Sequence, residues 1–92
     1  MASSVIDHLK NVAALVESGG EITLGNVAAV GQCVASASDE AQCLAMLVRR
    51  KGESLEALLK RLDAAIHDAY EHERFIDEVN APGASHLRKP QR

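Results

Sequence analysis

Residues 54–79 read SLEALLKRLDAAIHDAYEHERFIDEV, a stretch without Gly or Pro that ends before Asn80-Ala81-Pro82-Gly83. Its apolar residues recur every three or four positions, as they do on one face of an α-helix. They are Leu55, Leu58, Leu59, Leu62, Ala65, Ile66 and Ala69. Glu56 and Lys60 are spaced to form an i, i+4 ion pair on the outer face. The pattern predicts one helix about 39 Å long, whose apolar seam has coiled-coil-like spacing.

The beginning of the chain predicts a first, shorter helix from Ser4 to about Ser18. Asp7 stands three residues after Ser4, as in a capping box, and Gly19-Gly20 supplies the left-handed conformation that favours a helix C-terminus. The apolar residues of this segment recur at helical spacing. They are Val5, Leu9, Val12 and Val16. At roughly 20 Å, such a helix is about half as long as the predicted C-terminal one.

Two further short helices are predicted between residues 23 and 51. The second helix begins after Thr23, and Gly31 within it leaves room for a close crossing with another helix. Its apolar face comprises Leu24, Val27, Ala28, Gly31, Val34 and Ala35. The third helix begins at Ser38, an N-cap residue type, and runs to Lys51.

The composition favours an all-α fold. Tyr70 and Phe75 are the only two aromatic residues, so aliphatic and small side chains must fill the core. Strands pack best with aromatic and β-branched residues, whereas closely packed helices accept many alanines. We therefore predict a small four-helix domain over residues 1–80. Three short helices pack on the first half of the long helix, and residues 81–92 form a disordered basic tail.

The charged residues divide the chain into opposing regions. The formal net charge is −3, but the last eight residues carry three basic side chains and no acid, which leaves −6 for the remainder. A basic cluster consists of Arg49, Arg50, Lys51, Lys60 and Arg61. An acidic cluster follows it and consists of Asp63, Asp68, Glu71, Glu73, Asp77 and Glu78. The second half of the long helix is therefore predicted to present an acidic surface.

The two cysteines and the hydropathy pattern indicate a cytoplasmic protein. Cys33 and Cys43 are ten residues apart, which is not the spacing of a zinc site, so we predict reduced thiols. A disulfide between adjacent helices is the alternative, and it would matter only in an exported protein. No apolar run is long enough for a membrane span, and Asp7 and Lys10 interrupt any signal-peptide core.

No pattern typical of catalysis or cofactor binding is found. The string His-Asp-Ala-Tyr-Glu-His places His67 and His72 five residues apart, about 140° around a helix, so the two rings cannot share one ion. Gly25 and Gly31 lack the Lys-Ser/Thr of a phosphate loop, and no nucleophile elbow occurs. We predict a protein that is not an enzyme and binds neither a metal nor a cofactor.

The uncovered half of the long helix predicts the function. Three short helices would leave the apolar residues of this half exposed, namely Ala69, Tyr70, Phe75, Ile76 and Val79. Exposed apolar patches that include aromatic rings are typical of interaction surfaces. The predicted partner-binding residues are Asp68, Tyr70, Glu71, His72, Glu73, Phe75, Ile76 and Val79. We expect a protein-binding protein that blocks a basic surface of a larger partner, such as a nucleic-acid-handling complex. In size and acidity it is comparable with small phage- and plasmid-encoded inhibitors, including anti-CRISPR proteins, although no motif identifies one.

The charge pattern also predicts self-association. An antiparallel pairing of two long helices would place the basic end of one over the acidic end of the other, which predicts a homodimer. Two alternative functions remain. One is a structural subunit whose only partner is itself.

The other alternative is a small DNA-binding transcriptional regulator. Helices two and three would form a helix-turn-helix in which Gln42, Arg49, Arg50 and Lys51 face nucleic acid. Asp39 and Glu40 would lie in the first turn of the recognition helix and repel phosphates, so nucleic acid is the less favoured partner.

Overall fold

The computed structural model of the chain describes residues 9–79. Its elements, in chain order, are α1 (Lys10–Glu17), β1 (Glu21–Val27), β2 (Gln32–Ser38), β3 (Cys43–Val48), α2 (Leu55–His72) and β4 (Ile76–Asp77). The strands form one sheet in the order β1-β2-β3-β4, in which β1, β2 and β3 are antiparallel neighbours and β4 runs parallel to β3. The fold is therefore α+β, and the all-α helical bundle predicted from the sequence is wrong.

The molecule has two layers. α2 packs on β2 and β3. α1 lies beside α2 in the same layer and contacts both α2 and β1. The buried core between the layers comprises Leu9, Val12, Leu15, Ala35, Ala37, Leu44, Ala45, Leu47, Leu58, Leu62, Ala65, Ile66 and Ala69. On the face of the sheet that points away from the helices, four paired residues lie side by side on the four strands: Thr23, Ser36, Met46 and Asp77. Within the described part of the chain, no helix is long and apolar enough to cross a membrane.

The predicted second helix is instead the hairpin of β1 and β2. Leu24 pairs with Ala35, and Gly25 pairs with Val34, so residues assigned to one helical face lie on two strands. Gly31 lies in the connecting turn with a φ of 77°, and its N–H donates to the carbonyl of Val27 at 2.7 Å. This conformation favours glycine. Gly31 therefore serves the turn and not a helix crossing.

The predicted third helix is replaced by a turn and by β3. Asp39 Oδ1 accepts the N–H groups of Ala41 and Gln42, each at 2.8 Å. Carboxylate bonds of this kind stabilise turns as well as helix N-termini, which is why the local signal was ambiguous. β3 then follows with a register irregularity beside Ala37 and Ser38.

The C-terminal helix is confirmed but shorter than predicted. Ser54 caps it by accepting the N–H of Ala57 at 3.0 Å, and the predicted seam is buried from Leu58 to Ala69, although Leu55 is 44% exposed. α2 ends at His72, because Glu73 adopts a left-handed conformation with a φ of 54°. Its length is about 27 Å, and the chain then returns to the sheet as β4.

α1 ends close to the predicted position, at Glu17. Its first turn is held from a distance: the carboxylate of Asp63 accepts the N–H groups of Asn11 at 2.8 Å and Val12 at 2.9 Å. These bonds join α1 to α2 and satisfy donors that a helix start leaves unpaired. The predicted start at Ser4 and the predicted tail of residues 81–92 lie outside the described residues.

Candidate protein-binding surface

The predicted exposed apolar half of the C-terminal helix does not exist. Ala69 is buried in the core, and Phe75 and Ile76 are half-buried and pack against it. Val79 is also half-buried. The reason is that α2 ends at His72, so the residues after it lie against the sheet. Among the apolar residues predicted to bind a partner, Tyr70 stays exposed, at 54% of its surface.

Tyr70 is held by a contact that joins α2 to the β2–β3 loop. Its hydroxyl donates to Asp39 Oδ2 at 3.0 Å, while Asp39 Oδ1 accepts the loop N–H groups of Ala41 and Gln42. Those backbone bonds lower the pKa of the Asp39 carboxyl, and the Tyr70 hydroxyl lowers it further. Partial burial, followed by the Asp39 carboxylate, raises the pKa of Tyr70. At neutral pH the phenol is therefore a donor to a fixed carboxylate, and the ring has a defined orientation.

Two further carboxylates directly follow the two residues of this contact in the sequence. Glu40 follows Asp39 in the β2–β3 loop and reaches the α1–β1 turn at Gly19, and Glu71 follows Tyr70 on α2; both glutamates are exposed. We call Asp39, Glu40, Tyr70 and Glu71 the Tyr70 surface. The sequence pointed to Tyr70 and Glu71, but Asp39 and Glu40 were assigned to a helix start. A contact spanning 31 residues leaves no local signal.

The remaining predicted residues lie apart from this surface or on the end of α2. Asp68 lines a cleft on the β4 side of the molecule, and its Oδ2 lies 3.9 Å from Nη1 of Arg74. Glu73 is exposed at the left-handed cap of the helix. The His72 ring lies 6.3 Å, centroid to centroid, from that of His67 in an edge-to-face contact. Residues 9–79 contain no group of three or more His, Cys, Asp or Glu side chains placed to hold a metal ion.

The cleft beside Asp68 is organised by one arginine. It has a volume of about 240 Å³, and Leu47, Arg50, Arg61, Ala64, Ala65, Asp68, Ile76 and Glu78 line it. Arg61 donates through Nε to Glu53 at 2.8 Å, through Nη2 to the carbonyl of Val48 at 2.9 Å, and through Nη1 to Glu78 at 3.2 Å. Its hydrogen bonds to Glu53 lower the pKa of that carboxyl to about 2. Arg61 therefore joins α2, the end of β3 and β4.

The residues of the nucleic-acid alternative lie at opposite ends of β3. Gln42 precedes the strand, whereas Arg49, Arg50 and Lys51 follow it in the turn to α2. Six strand residues separate the two positions by about 20 Å. The predicted recognition helix is a strand, so the helix-turn-helix geometry that supported DNA binding is absent from residues 9–79. Arg49 Nε donates to the carbonyl of Glu53 at 2.7 Å, which fixes the turn.

No disulfide joins Cys33 and Cys43. Cys33 is half-buried and Cys43 is exposed. They lie in β2 and β3, and not on adjacent helices.

The apolar seam of α2 is buried against the sheet and offers no surface for pairing with a second long helix. Leu58, Leu62 and Ile66 contribute to the core. The antiparallel pairing of long helices was predicted from their opposed charges and stays a prediction. The Glu56–Lys60 ion pair on the outer face is present, with an N···O distance of 3.3 Å.

Comparisons with protein-family models, with curated proteins and with solved structures found no match for this chain. The arguments for function therefore rest on the geometry described above.

Proposed function

We propose that this protein is a non-enzymatic binding module of the cytoplasm, and that its Tyr70 surface docks on a basic surface of another protein. The observation that supports the proposal is an aromatic ring that is 54% exposed and yet fixed by a hydrogen bond to Asp39. Tyrosine is enriched in protein interfaces because it offers a large apolar body with a polar end. A ring that is already ordered loses less conformational entropy on binding.

The charges around Tyr70 determine the chemistry of the partner. Asp39 is ionised at neutral pH, and the hydrogen bonds from the loop backbone lower the pKa of its carboxyl below the ordinary value. Glu40 and Glu71 add two exposed carboxyl groups. Like-charged surfaces repel one another, whereas a basic surface gains from close approach and from faster encounter. A partner that presents Arg or Lys around an apolar depression fits this arrangement. Such a surface is common on nucleic-acid-handling proteins, where docked carboxylates would compete with phosphates and inhibit binding.

The proposal keeps the acidic surface expected from the sequence but changes its members. Phe75 and Ile76 pack against the core and Val79 is half-buried, so these three residues leave the site, while Asp39 and Glu40 join it. Asp68 lies on the other side of α2, in the cleft with Arg61. The site is therefore centred on one ring and one loop and does not follow a length of helix.

The test compares Tyr70→Ala with Leu55→Ala. Leu55 is a matched control because it is 44% exposed and lies at the opposite end of α2, about 22 Å away along the helix axis. The two variants and the unchanged protein would be used to capture proteins from lysate of the source organism, and co-eluting proteins would be quantified by mass spectrometry.

We expect one stoichiometric protein with a basic surface to be retained by Leu55→Ala and reduced at least tenfold by Tyr70→Ala. Raising the salt concentration should weaken the complex, since exposed charges are screened. Equal capture by Tyr70→Ala and the unchanged protein would contradict the proposal. Recovery of no partner other than further copies of the same chain would also contradict it.

A further inference from the structure

The first and last strands of the sheet leave very different edges. β4 comprises only Ile76 and Asp77, and the chain bonds back to β3 directly after it. β1 comprises the seven residues from Glu21 to Val27 and pairs on one side with β2. No strand formed by residues 9–79 lies beyond β1. No strand of the described residues therefore uses the outward row of β1 backbone groups, and such a row can pair with a strand of another chain.

β1 lacks the features that prevent edge strands from pairing. Natural edges are protected by lysines, prolines, inward-pointing charges or very short strands. The strand reads EITLGNV, with one charge at its first position and no basic residue or proline. Two of its apolar side chains remain exposed, Leu24 at 41% and Val27 at 40%, and Val16 of the neighbouring helix α1 is exposed as well.

We propose that β1 pairs with β1 of a second copy of this chain, antiparallel and about a two-fold axis at Leu24. Opposed residues in an antiparallel pair lie on the same face of the sheet, so a symmetric pairing must be centred on a residue. The register centred on Leu24 is the one that pairs all seven residues of the strand. Two copies then share one continuous sheet, and the exposed Leu24 side chains cover each other.

The charges of the strand are compatible with this register. Glu21 lies opposite Val27 of the second copy, and the two Glu21 side chains are about 20 Å apart across the pair. That separation exceeds the screening length of about 8 Å at physiological ionic strength. Ile22 lies opposite the uncharged Asn26, and Thr23 lies opposite Gly25. No like charges are opposed along the seven residues.

This pairing is independent of the proposed function. The Tyr70 surface comprises the β2–β3 loop and the C-terminal part of α2, whereas the pairing uses the edge of β1. A substitution in β1 should change the mass of the particle without removing a partner bound at Tyr70. The two proposals can therefore fail separately.

The first experiment is light scattering coupled to size exclusion over a range of protein concentrations. The chain has a mass of 9.8 kDa, and the proposal predicts twice that value at the upper concentrations. Leu24→Lys places the lysines of the two copies opposite each other at the two-fold axis, and their repulsion should prevent pairing. The observed mass should therefore be halved, while the circular dichroism spectrum stays unchanged.

Val27→Lys is the matched control. It introduces the same residue at an equally exposed position of the same strand, but its lysine lies opposite Glu21 of the second copy, so the dimer mass should be kept. A monomeric mass for the unchanged protein at every concentration would overturn the proposal. So would a dimeric mass for Leu24→Lys.

A cross-linking experiment keeps the proposal testable if Leu24→Lys does not fold. In a background with Cys33→Ser and Cys43→Ser, Leu24→Cys places two thiols directly opposite each other at the axis. Mild oxidation should therefore yield a covalent dimer. Val27→Cys places its thiols about 20 Å apart and should not cross-link. Absence of a Leu24→Cys dimer, or equal cross-linking of both variants, would contradict the register.

Discussion

The two terminal strands of the sheet, β1 and β4, are held by different contacts. Next to β4, Glu78 makes two hydrogen bonds to β3. Its N–H donates to the carbonyl of Met46 at 2.8 Å, and its carboxylate accepts the N–H of Val48 at 2.9 Å. The same carboxylate pairs with Arg61. At the β1 edge, the strand is longer and no strand from the described residues covers it. The Glu78 carboxylate extends the β3 ladder next to β4, whereas the outer side of β1 has no strand partner among residues 9–79.

The comparison shows that a small domain can end one side of its sheet with a two-residue strand fixed by an ion pair and the other side with a strand of seven residues. The β4 edge depends on the ion pairs of Arg61 with Glu53 and Glu78, whose side chains are largely buried. Leaving a buried charge unpaired is costly. The β1 edge depends on apolar side chains and backbone donors that gain from being covered. Substitutions at the β4 edge should therefore change stability, and substitutions at the β1 edge should change the assembly.

The largest effect is expected for Arg61→Ala. This change leaves the Glu53 side chain, 9% exposed, and the Glu78 side chain without their cation. The cost should be about 3–4 kcal/mol in the free energy of unfolding, read from urea denaturation. Lys60→Ala is the control, because its pair with Glu56 is exposed, and it should cost less than about 1 kcal/mol. Equal losses for the two variants would show that the β4 edge does not depend on Arg61.

A smaller, pH-dependent effect is expected from the same group. The pKa of Glu53 is about 2 in the folded chain, below its ordinary value of 4.5, because Arg61 donates hydrogen bonds to its carboxylate. Because the pKa is lower in the folded chain than in the unfolded one, ionised Glu53 contributes fully to the free energy of unfolding above about pH 4.5. This contribution is lost as the pH falls towards 2. About 2–3 kcal/mol of stability should be lost over this window.

Urea denaturation at a series of pH values measures this loss. Glu53→Gln should flatten the dependence between pH 4.5 and 2, since it removes the group that titrates. An unchanged slope in the variant would assign the acid sensitivity to other carboxyl groups.

The smallest effect is expected on the β1 side. Thr23 is exposed on the face of the sheet opposite the helices, and its hydroxyl is hydrogen-bonded to that of Ser36. Thr23→Val removes this bond but keeps a β-branched side chain, so the free energy of unfolding should change by no more than about 0.5 kcal/mol. The dimer mass should persist. A loss comparable with that of Arg61→Ala would mean that β1 is as important to the isolated fold as β4.

The sequence was sufficient for α2 and insufficient for the sheet. The apolar seam that begins at Leu58 is long and strongly periodic, and the helix it predicts is present, with Leu58, Leu62 and Ile66 buried. The segment from Leu24 to Ala35 is built from small and aliphatic residues whose spacing fits a helix as well as a hairpin. In β3 the neighbours Leu44 and Ala45 are both buried beside a register irregularity, so the alternation that marks a strand is broken.

The end of α2 and the candidate site show the same limitation. Glu73 takes a left-handed conformation with no Gly or Pro nearby, so periodicity alone extended the helix to Val79. The sequence predicted that both aromatic rings are exposed, which is wrong for Phe75 and right for Tyr70. Its partner Asp39 could not be found, because their contact depends on how the β2–β3 loop meets α2 in three dimensions.

Amide hydrogen exchange at several protein concentrations tests most directly the claim that one edge is closed within the chain and the other by a second copy. Exchange reports the opening of individual backbone hydrogen bonds. We predict that amides of β1, between Glu21 and Val27, become more protected as concentration rises, while those of Val48 and Glu78 at the β4 edge stay constant. Exchange from β1 that is independent of concentration would contradict the account.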